Sequence, residues 1–311
     1  MSAAIGIDVG GSKSLGVLVD ERGAVMAERR VPTPRTADAL LAVVVDLVAS
    51  LGPGAPGCPV GVGVPGLVDA DGVLRFVPNL PGVVEVPVRA AVERHVPGPL
   101  VVLNEATAAI WAELTHGAAV GARDVVMASL GTGIGGGVVL GGELVGGHHG
   151  FAGEFGHMVV DPEGPACPCG KRGCWERYAS GSGLAWLARE AAAAGAAGRV
   201  VELAGGDPGD VRGEHVTTAA AEGDASALAV VDRFAWWLAL GLANLVAVLD
   251  PELIVLGGGL IEAGAVLLDP TRRAFASLLE GGDHRPPVGI VAAALGERAA
   301  AVGAALLAAA A

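Results

Sequence analysis

One pattern occurs twice along these 311 residues: an apolar strand enters a glycine-rich turn, a second apolar strand leaves it, and another turn leads to a third strand. The first copy is "AAIGIDVGGSKSLGVLVDERGAVMAERRV" and the second is "DVVMASLGTGIGGGVVLGGELV". Short apolar runs bounded by Gly and Asp read as strands and hairpins. Helical and buried-strand patterns come after the first copy. "ADALLAVVVDLVASLG" predicts a helix stopping at Gly52, and "PVGVGVPGLVD" predicts a buried strand running into a Pro-Gly turn. "GPLVVLNEATAAIWAELTHG" predicts a short strand and a helix that begins near Asn104. Far downstream of the second copy, "PELIVLGGGLIEAG" again predicts a buried strand, glycines and a helix. Strands alternating with helices place the chain in the α/β class. Identity between the two halves is low, but the repeated pattern predicts an internal duplication.

A chain of this length is long for one hydrophobic core, so two domains are expected. The first covers 1–118 and takes back a C-terminal helix at about 298–311. The second covers 119–297 and carries an insert at about 151–180. "GRVVELAGGDPGDVRGEHVTTAAAEGD" is expected to be a surface segment between helices. The uncharged run from Phe234 to Leu249 is short for a membrane span and contains an Asn, so it reads as a buried helix. Fifty glycines with 4% aromatics suit tight turns and close helix–strand contacts. A net charge of −13 with no basic cluster argues against nucleic acid as a partner. No secretory leader precedes the first strand, so the expected location is cytoplasmic, with no membrane partner. Thiols stay reduced there, which favours metal over disulfide for clustered cysteines.

Two glycine turns invite an anion. In "GIDVGGSK", Asp8 ends a strand and Gly10, Gly11, Ser12 and Lys13 follow. Glycines let backbone N–H groups approach phosphate closely, and a carboxylate there can hold a divalent cation through water. A plain hairpin turn explains the same tetrapeptide. "GTGIGGG" contains the spacing G-x-G-x-x-G, but strand rather than helix follows, so a dinucleotide fingerprint is rejected. A hairpin with Gly131, Thr132 and Gly133 at its tip is the better reading. With the "GGG" at 257–259, the set points to an ATPase-type cleft between related domains.

The cysteines are more specific. Cys167, Cys169 and Cys174 follow His157 by ten residues or more, and three thiolates with one imidazole fill a tetrahedral zinc shell. A filled shell leaves no open position for water, so such a zinc is structural. Coincidental thiols are the alternative. Glu154 and Glu176 flank the cluster, and fixed carboxylates there can read sugar hydroxyls. Cys58 stands alone and reads as a small core residue.

Read in order, "DVGGSK", "GVPGLVD", "NLPG", "SLGTGIGGG", "EFGH" and "CPCGKRGCWE" resemble the ROK family (repressor, open reading frame, kinase), especially its bacterial glucokinases. The resemblance covers essentially the whole chain. It implies duplicated actin-like, ribonuclease H-like domains with ATP in an interdomain cleft. It also implies that Asp8 to Lys13 and Gly131 to Gly133 contact phosphates and Mg²⁺, and that Gly258 and Gly259 lie near the nucleoside. Asn79, Asn104, Glu154, His157 and Glu176 would hold the sugar, and His157, Cys167, Cys169 and Cys174 would bind Zn²⁺. A homodimer or higher homo-oligomer is the family's habit.

One position departs. The family's catalytic Asp follows an Asn, and here Glu105 follows Asn104. A carboxylate within hydrogen-bond reach of the attacking hydroxyl is what the chemistry needs. The extra methylene moves the oxygens by about 1.5 Å, and an error of ~1 Å costs ~10²-fold. On the residue alone, Glu105 reads equally as an acid favoured in a helix's first turn. Val83 also stands where a Trp is frequent in the glucokinases. The expected function is phosphoryl transfer from ATP to a hexose, at the 6-hydroxyl of glucose. The alternatives are a sugar-binding protein with weak or lost kinase activity, and a sugar-responsive regulator. The regulator is disfavoured because the first glycine motif begins at residue 8.

Overall fold

The computed structural model describes residues 3–52, 57–78, 80 and 82–311. Two compact units result. One comprises Met1–Met127, Gly137–Gly153 and Ala294–Ala311, the other Ala128–Gly136 and Glu154–Ala293.

The first unit opens with β1 (Ala4–Val9), β2 (Lys13–Val19), β3 (Val25–Pro32), α1 (Ala37–Leu51) and β4 (Val60–Val64). A small antiparallel sheet of β5 (Leu67–Val68), β6 (Leu74–Phe76) and β7 (Val84–Val86) follows. Then come α2 (Val88–Glu93), β8 (Leu100–Asn104) and α3 (Glu105–His116). The main sheet has the order β3-β2-β1-β4-β8, antiparallel on the β3–β1 side and parallel from β1 to β8. Alternation sorts β1 cleanly. Ile5, Ile7 and Val9 join Leu40, Val44 and Leu47 of α1 in one core. Ala4 belongs to a second core with Leu15, Val17 and Val19 of β2 and with the C-terminal helix, Ala299–Ala310. Gly6 shares that second face. A Cβ at Gly6 would lie 1.8 Å from the Ala301 carbonyl oxygen, and one at Gly61 would lie 1.9 Å from that of Ala304. The C-terminal helix therefore rests directly on bare sheet backbone, which explains part of the chain's glycine content.

Among the described residues of this unit one carboxylate-bearing residue, Glu113, is fully buried. Glu113 on α3 accepts N–H bonds from Ala118 (2.7 Å), Ala294 (3.0 Å) and Leu295 (2.8 Å), so its charge is compensated and α3 is tied to the approach of the C-terminal helix.

The second sheet is built from β9 (Val125–Leu130), β10 (Ile134–Leu140) and β11 (Glu143–Leu144), with β12 (Leu253–Gly257) and β13 (Gly289–Ala292) downstream, in the order β11-β10-β9-β12-β13. That is the first sheet's order repeated element for element, with an antiparallel pair at β10–β11 and a parallel pair at β12–β13. Between β11 and β12 lie α4 (Glu176–Ala179), α5 (Gly181–Ala193), α6 (Gly198–Leu203), α7 (Gly213–Ala221) and α8 (Ala225–Leu249). After β12 (Leu253–Gly257) come α9 (Ala265–Leu278) and β13 (Gly289–Ala292). The apolar run from Phe234 is the later part of α8, which spans 25 residues because Asp232 and Arg233 continue the helix on an exposed face. By length and composition alone α8 could cross a membrane, yet Phe234, Leu238 and Leu242 are buried within the unit. The indole of Trp175 packs on α8 where Gly241 lacks a side chain.

One expectation is corrected. Residues 198–224 are not a connecting surface segment but hold α6 and α7, with Val200, Val216 and Ala219 fully buried. The Gly-Asp-Pro-Gly stretch between the two helices gives the whole segment its loop-like composition.

Candidate functional site

In the first unit the chemistry gathers at the C-terminal ends of parallel strands, where open α/β sheets leave side chains and helix starts facing outward. Asp8 pairs in register with Gly63 of β4, and Gly63 with Leu103 of β8. A Cβ built at Gly63 would lie 3.2 Å from Glu105 Cα and 3.5 Å from its Cβ. Gly63 is thus the gap that lets α3 start close against the sheet, with Asp8 on the neighbouring strand. Asn104 caps α3: its Oδ1 accepts from the N–H groups of Ala106 (2.8 Å) and Thr107 (3.3 Å). Its Nδ2 donates to the Gly66 carbonyl at 3.1 Å. Gly66 sits at φ 79°, and a Cβ there would strike the Phe76 carbonyl, so the Pro-Gly turn requires glycine. Glu105 is the first residue of the helix so anchored.

The Gly10–Lys13 turn is closed by the Gly10 N–H to the Lys13 carbonyl at 3.0 Å and braced by Thr33, whose hydroxyl donates to the Gly10 carbonyl at 2.7 Å. Space around Gly11 is open. Asp8 Oδ1 is buried and accepts no hydrogen bond from the described residues. Burial pushes this carboxyl up to about 7, against the pull of Lys13. An uncompensated buried oxygen beside an open glycine turn suits a hydrated divalent cation.

The second unit carries an open pocket of ≈ 740 Å³, a size common for small-ligand sites. Its walls are the β9–β10 hairpin at Gly131 and Thr132, the start of α5 at Gly181 and Ser182, the start of α7, and the turn after β12. Gly131 and Gly259 have open space where a side chain would stand. Gly258, just behind, has φ 82° and would place a Cβ 2.5 Å from the Leu130 carbonyl oxygen. Sequence reading missed Arg212, Glu214, Thr217, Arg189 and Glu262 in these walls. The available signal was helical: Val216, Ala219 and Ala220 recur at one-turn spacing inside the stretch expected to be a surface segment between helices.

The same unit brings the cluster ligands together. One donor atom each from His157, Cys167, Cys169 and Cys174 lies within 4.8 Å of the others. The Cys169 and Cys174 sulfurs are 3.6 Å apart, and Cys167 Sγ is 3.7 Å from His157 Nδ1. Zn–S bonds of ~2.3 Å in a tetrahedron put ligand atoms about 3.8 Å apart, so the donor set fits zinc in kind and spacing. Gly170 (φ 91°) and Gly173 (φ 62°) supply the left-handed turns between the ligands. Burial pushes the Cys167 and Cys174 thiols up. At Cys169 burial is outweighed by the Lys171 N–H and neighbouring thiols, and the thiol shifts down.

The flanking carboxylates close on this cluster. Glu176 Oε1 is 3.1 Å from Cys167 Sγ and 3.6 Å from His157 Nδ1, and Glu154 Oε2 is 3.9 Å from His157 Nε2. Burial raises the Glu154 carboxyl, with His157 pulling it back and Glu176 adding to the rise. Glu176 Oε2 also fills the space beside Gly133, where a Cβ would lie 2.4 Å from it. Gly133 therefore lets this carboxylate lie against the hairpin. Asn79 lies outside the described residues. Cys58 is half-buried, its thiol donating to the Ala3 carbonyl at 3.2 Å.

The chain matches the ROK family over residues 4–311. It is 40% identical to a glucokinase of Streptomyces coelicolor, over 99% of this chain and 98% of that protein. It is 35% identical to an N-acetylmannosamine kinase of Escherichia coli, over 94% and 97% of the two chains. Among solved structures it resembles a ROK family glucokinase from Streptomyces griseus, crystallised with glucose and AMPPNP. The TM-score is 0.89 at 39% identity, covering 98% of this chain and 99% of that one.

Proposed function

The chain belongs to the ROK family and is an ATP-dependent sugar kinase, and we propose that its acceptor is the 6-hydroxyl of glucose, with Glu105 as the base. The observation that carries the role of Glu105 is its place as first residue of α3, held by the Asn104 cap and the Gly63 gap. A carboxylate fixed there can take the proton of an attacking hydroxyl as the phosphoryl group leaves ATP. Glucose as acceptor rests on the glucokinase relatives of Streptomyces.

The remaining roles follow the chemistry of each side chain. Asn104, Glu154, His157, Glu176 and Asn79 orient the sugar through its hydroxyls. The turns at Gly10–Lys13 and Gly131–Gly133, with Thr132, receive phosphate oxygens, and Gly258 and Gly259 make room for the nucleoside. Asp8 would hold Mg²⁺ through water, and that ion, when bound, neutralises phosphate charge. His157, Cys167, Cys169 and Cys174 would hold zinc, which supplies bracing only, since four ligands close its shell. The same reading has the chain acting in the cytoplasm as a homodimer, a state that light scattering would measure.

The test is ATP turnover with glucose, mannose, fructose and N-acetylmannosamine. Glucose should give the highest kcat/KM. A higher value for N-acetylmannosamine would move the acceptor to that of the other relative, and binding of glucose with no turnover of any hexose would leave a sugar-binding protein.

A further inference from the structure

Lys13 is the first residue of β2, directly after the glycine turn. Its ammonium donates to Oε2 of Glu297, just ahead of the C-terminal helix. The other oxygen of that carboxylate accepts from Arg30 Nη1 at 2.6 Å. Arg298 in turn reaches Glu28 at 2.8 Å. The register pairs Arg30 with Leu15 and Glu28 with Val17, so all of these groups sit on the face that carries the C-terminal helix. Lys13, Arg30 and Arg298 against Glu28 and Glu297 sum to one net positive charge within this cluster, before counting the Asp8 carboxyl within electrostatic reach of Lys13.

We propose that Glu297 is a positioning residue for the phosphoryl donor: it holds the Lys13 ammonium in place so that an incoming polyphosphate chain meets a fixed cation. The proposal rests on the reading of Lys13 as a phosphate contact. A lysine on a strand end has a flexible four-carbon stem, and its freedom must be given up when an anion binds. The pairing with Glu297 takes that freedom away beforehand. An ammonium has three donors, and one goes to Glu297, so capacity for phosphate oxygens is kept. Arg30 holds the same carboxylate from its other side, which keeps Glu297 anchored.

A competing role has the opposite sign. If Glu297 merely occupied Lys13 in place of phosphate, its removal would tighten nucleotide binding. The experiment is a double-mutant cycle with Glu297→Gln, Lys13→Gln and both together, measuring KM for ATP and kcat at saturating glucose and low salt, with melting temperatures alongside. Exposed ion pairs act weakly. Glu297→Gln is expected to raise KM for ATP about threefold to tenfold with kcat nearly unchanged, the mark of lost binding that does not depend on the transition state. Lys13→Gln should raise it further, and the double variant should be no worse than Lys13→Gln. An unchanged or lower KM in Glu297→Gln overturns the proposal. So does a Glu297 effect that persists in full when Lys13 is already gone. If Lys13→Gln leaves KM for ATP unchanged, the phosphate-contact reading itself has failed.

Discussion

Glu105 and the pair Glu154–Glu176 are held by opposite means. Glu105 follows a paired strand and opens a 12-residue helix, and its neighbours on both sides are fixed by backbone geometry. Between Glu154 and Glu176 regular structure is thin: one short 3₁₀ turn at Phe155–His157 and isolated bridges at Val159–Cys174 and Ala166–Arg172. There the side chains of His157 and three cysteines converge instead. Regular structure positions a residue at its end through hydrogen bonds repeated along the element. An irregular loop lacks them, so fixing a carboxylate on it calls for a cross-link. The Cys/His cluster lies on a segment whose backbone pairing is local and irregular, where a cross-link would have much to add.

The largest expected effect separates chemistry from positioning. Glu105→Gln keeps the size of the side chain and the helix start but removes the proposed base. Turnover should fall by up to about 10⁴-fold, with glucose affinity close to wild type. Equal turnover would remove Glu105 from the reaction and with it the claim that the strand–helix junction carries the base.

Asp8 is a third case, a carboxyl held by neither a cap nor a cross-link, with burial setting its titration near 7. In the unfolded chain it titrates near 4. Below that pH both states are protonated and burial adds no penalty. As pH rises from about 4 to 7 the unfolded chain releases its proton while the folded chain keeps it, so stability falls; above about 7 the loss is complete and constant. The gap corresponds to something on the order of 4 kcal/mol, reduced by local relaxation. Asp8→Asn should melt higher than wild type at pH 7.5 in the absence of Mg²⁺ and nucleotide, with the advantage shrinking toward pH 4.5. A constant difference across that range would show that Asp8 is not buried in solution.

Metal removal sharpens the contrast directly. Protein purified without added metal should contain about one zinc per chain. Stripping it with a chelator should speed hydrogen exchange across 154–176 and leave 100–116 protected. Glucose KM should rise about 10- to 100-fold, because carboxylates misplaced by ~1 Å lose their contacts. Unchanged exchange in 154–176 after zinc loss would mean that the loop holds itself without the cross-link.

The two regions also differed in how far their residues announced them. The start of α3 at Asn104 was legible because an Asn before a helical pattern is a local signal, confined to Asn104–Thr107. The convergence of His157 with the three cysteines was legible because these residue types are rare and closely spaced. Gly63 was not: what makes it necessary is the approach of Glu105, 42 positions away, and no local pattern encodes that distance. Nor was the Lys13–Glu297 pair, separated by 284 positions. The wall of the cavity at α7 was hidden for another reason. Short helices rich in Ala and flanked by Gly, Asp and Pro have a loop's composition, and it is tertiary burial of Val200 and Val216 that makes them helices.

The smallest effect expected is at Asn104, and it tests whether the cap alone fixes Glu105. Asn104→Ala removes the acceptor for Ala106 and Thr107 and the donor to Gly66, at a cost of about 1 kcal/mol of stability. Asn104→Asp restores the cap, since a carboxylate accepts the same N–H bonds, but it cannot donate to the Gly66 carbonyl and sets a like charge next to Glu105. Thermal melts should therefore rank the aspartate variant near wild type and the alanine variant below it. Turnover should be reduced in both, because neither keeps the tie between the helix start and the Pro-Gly turn. If the aspartate variant recovered turnover along with stability, the cap by itself would be enough to place Glu105, and the bond to Gly66 would have no part in aiming it.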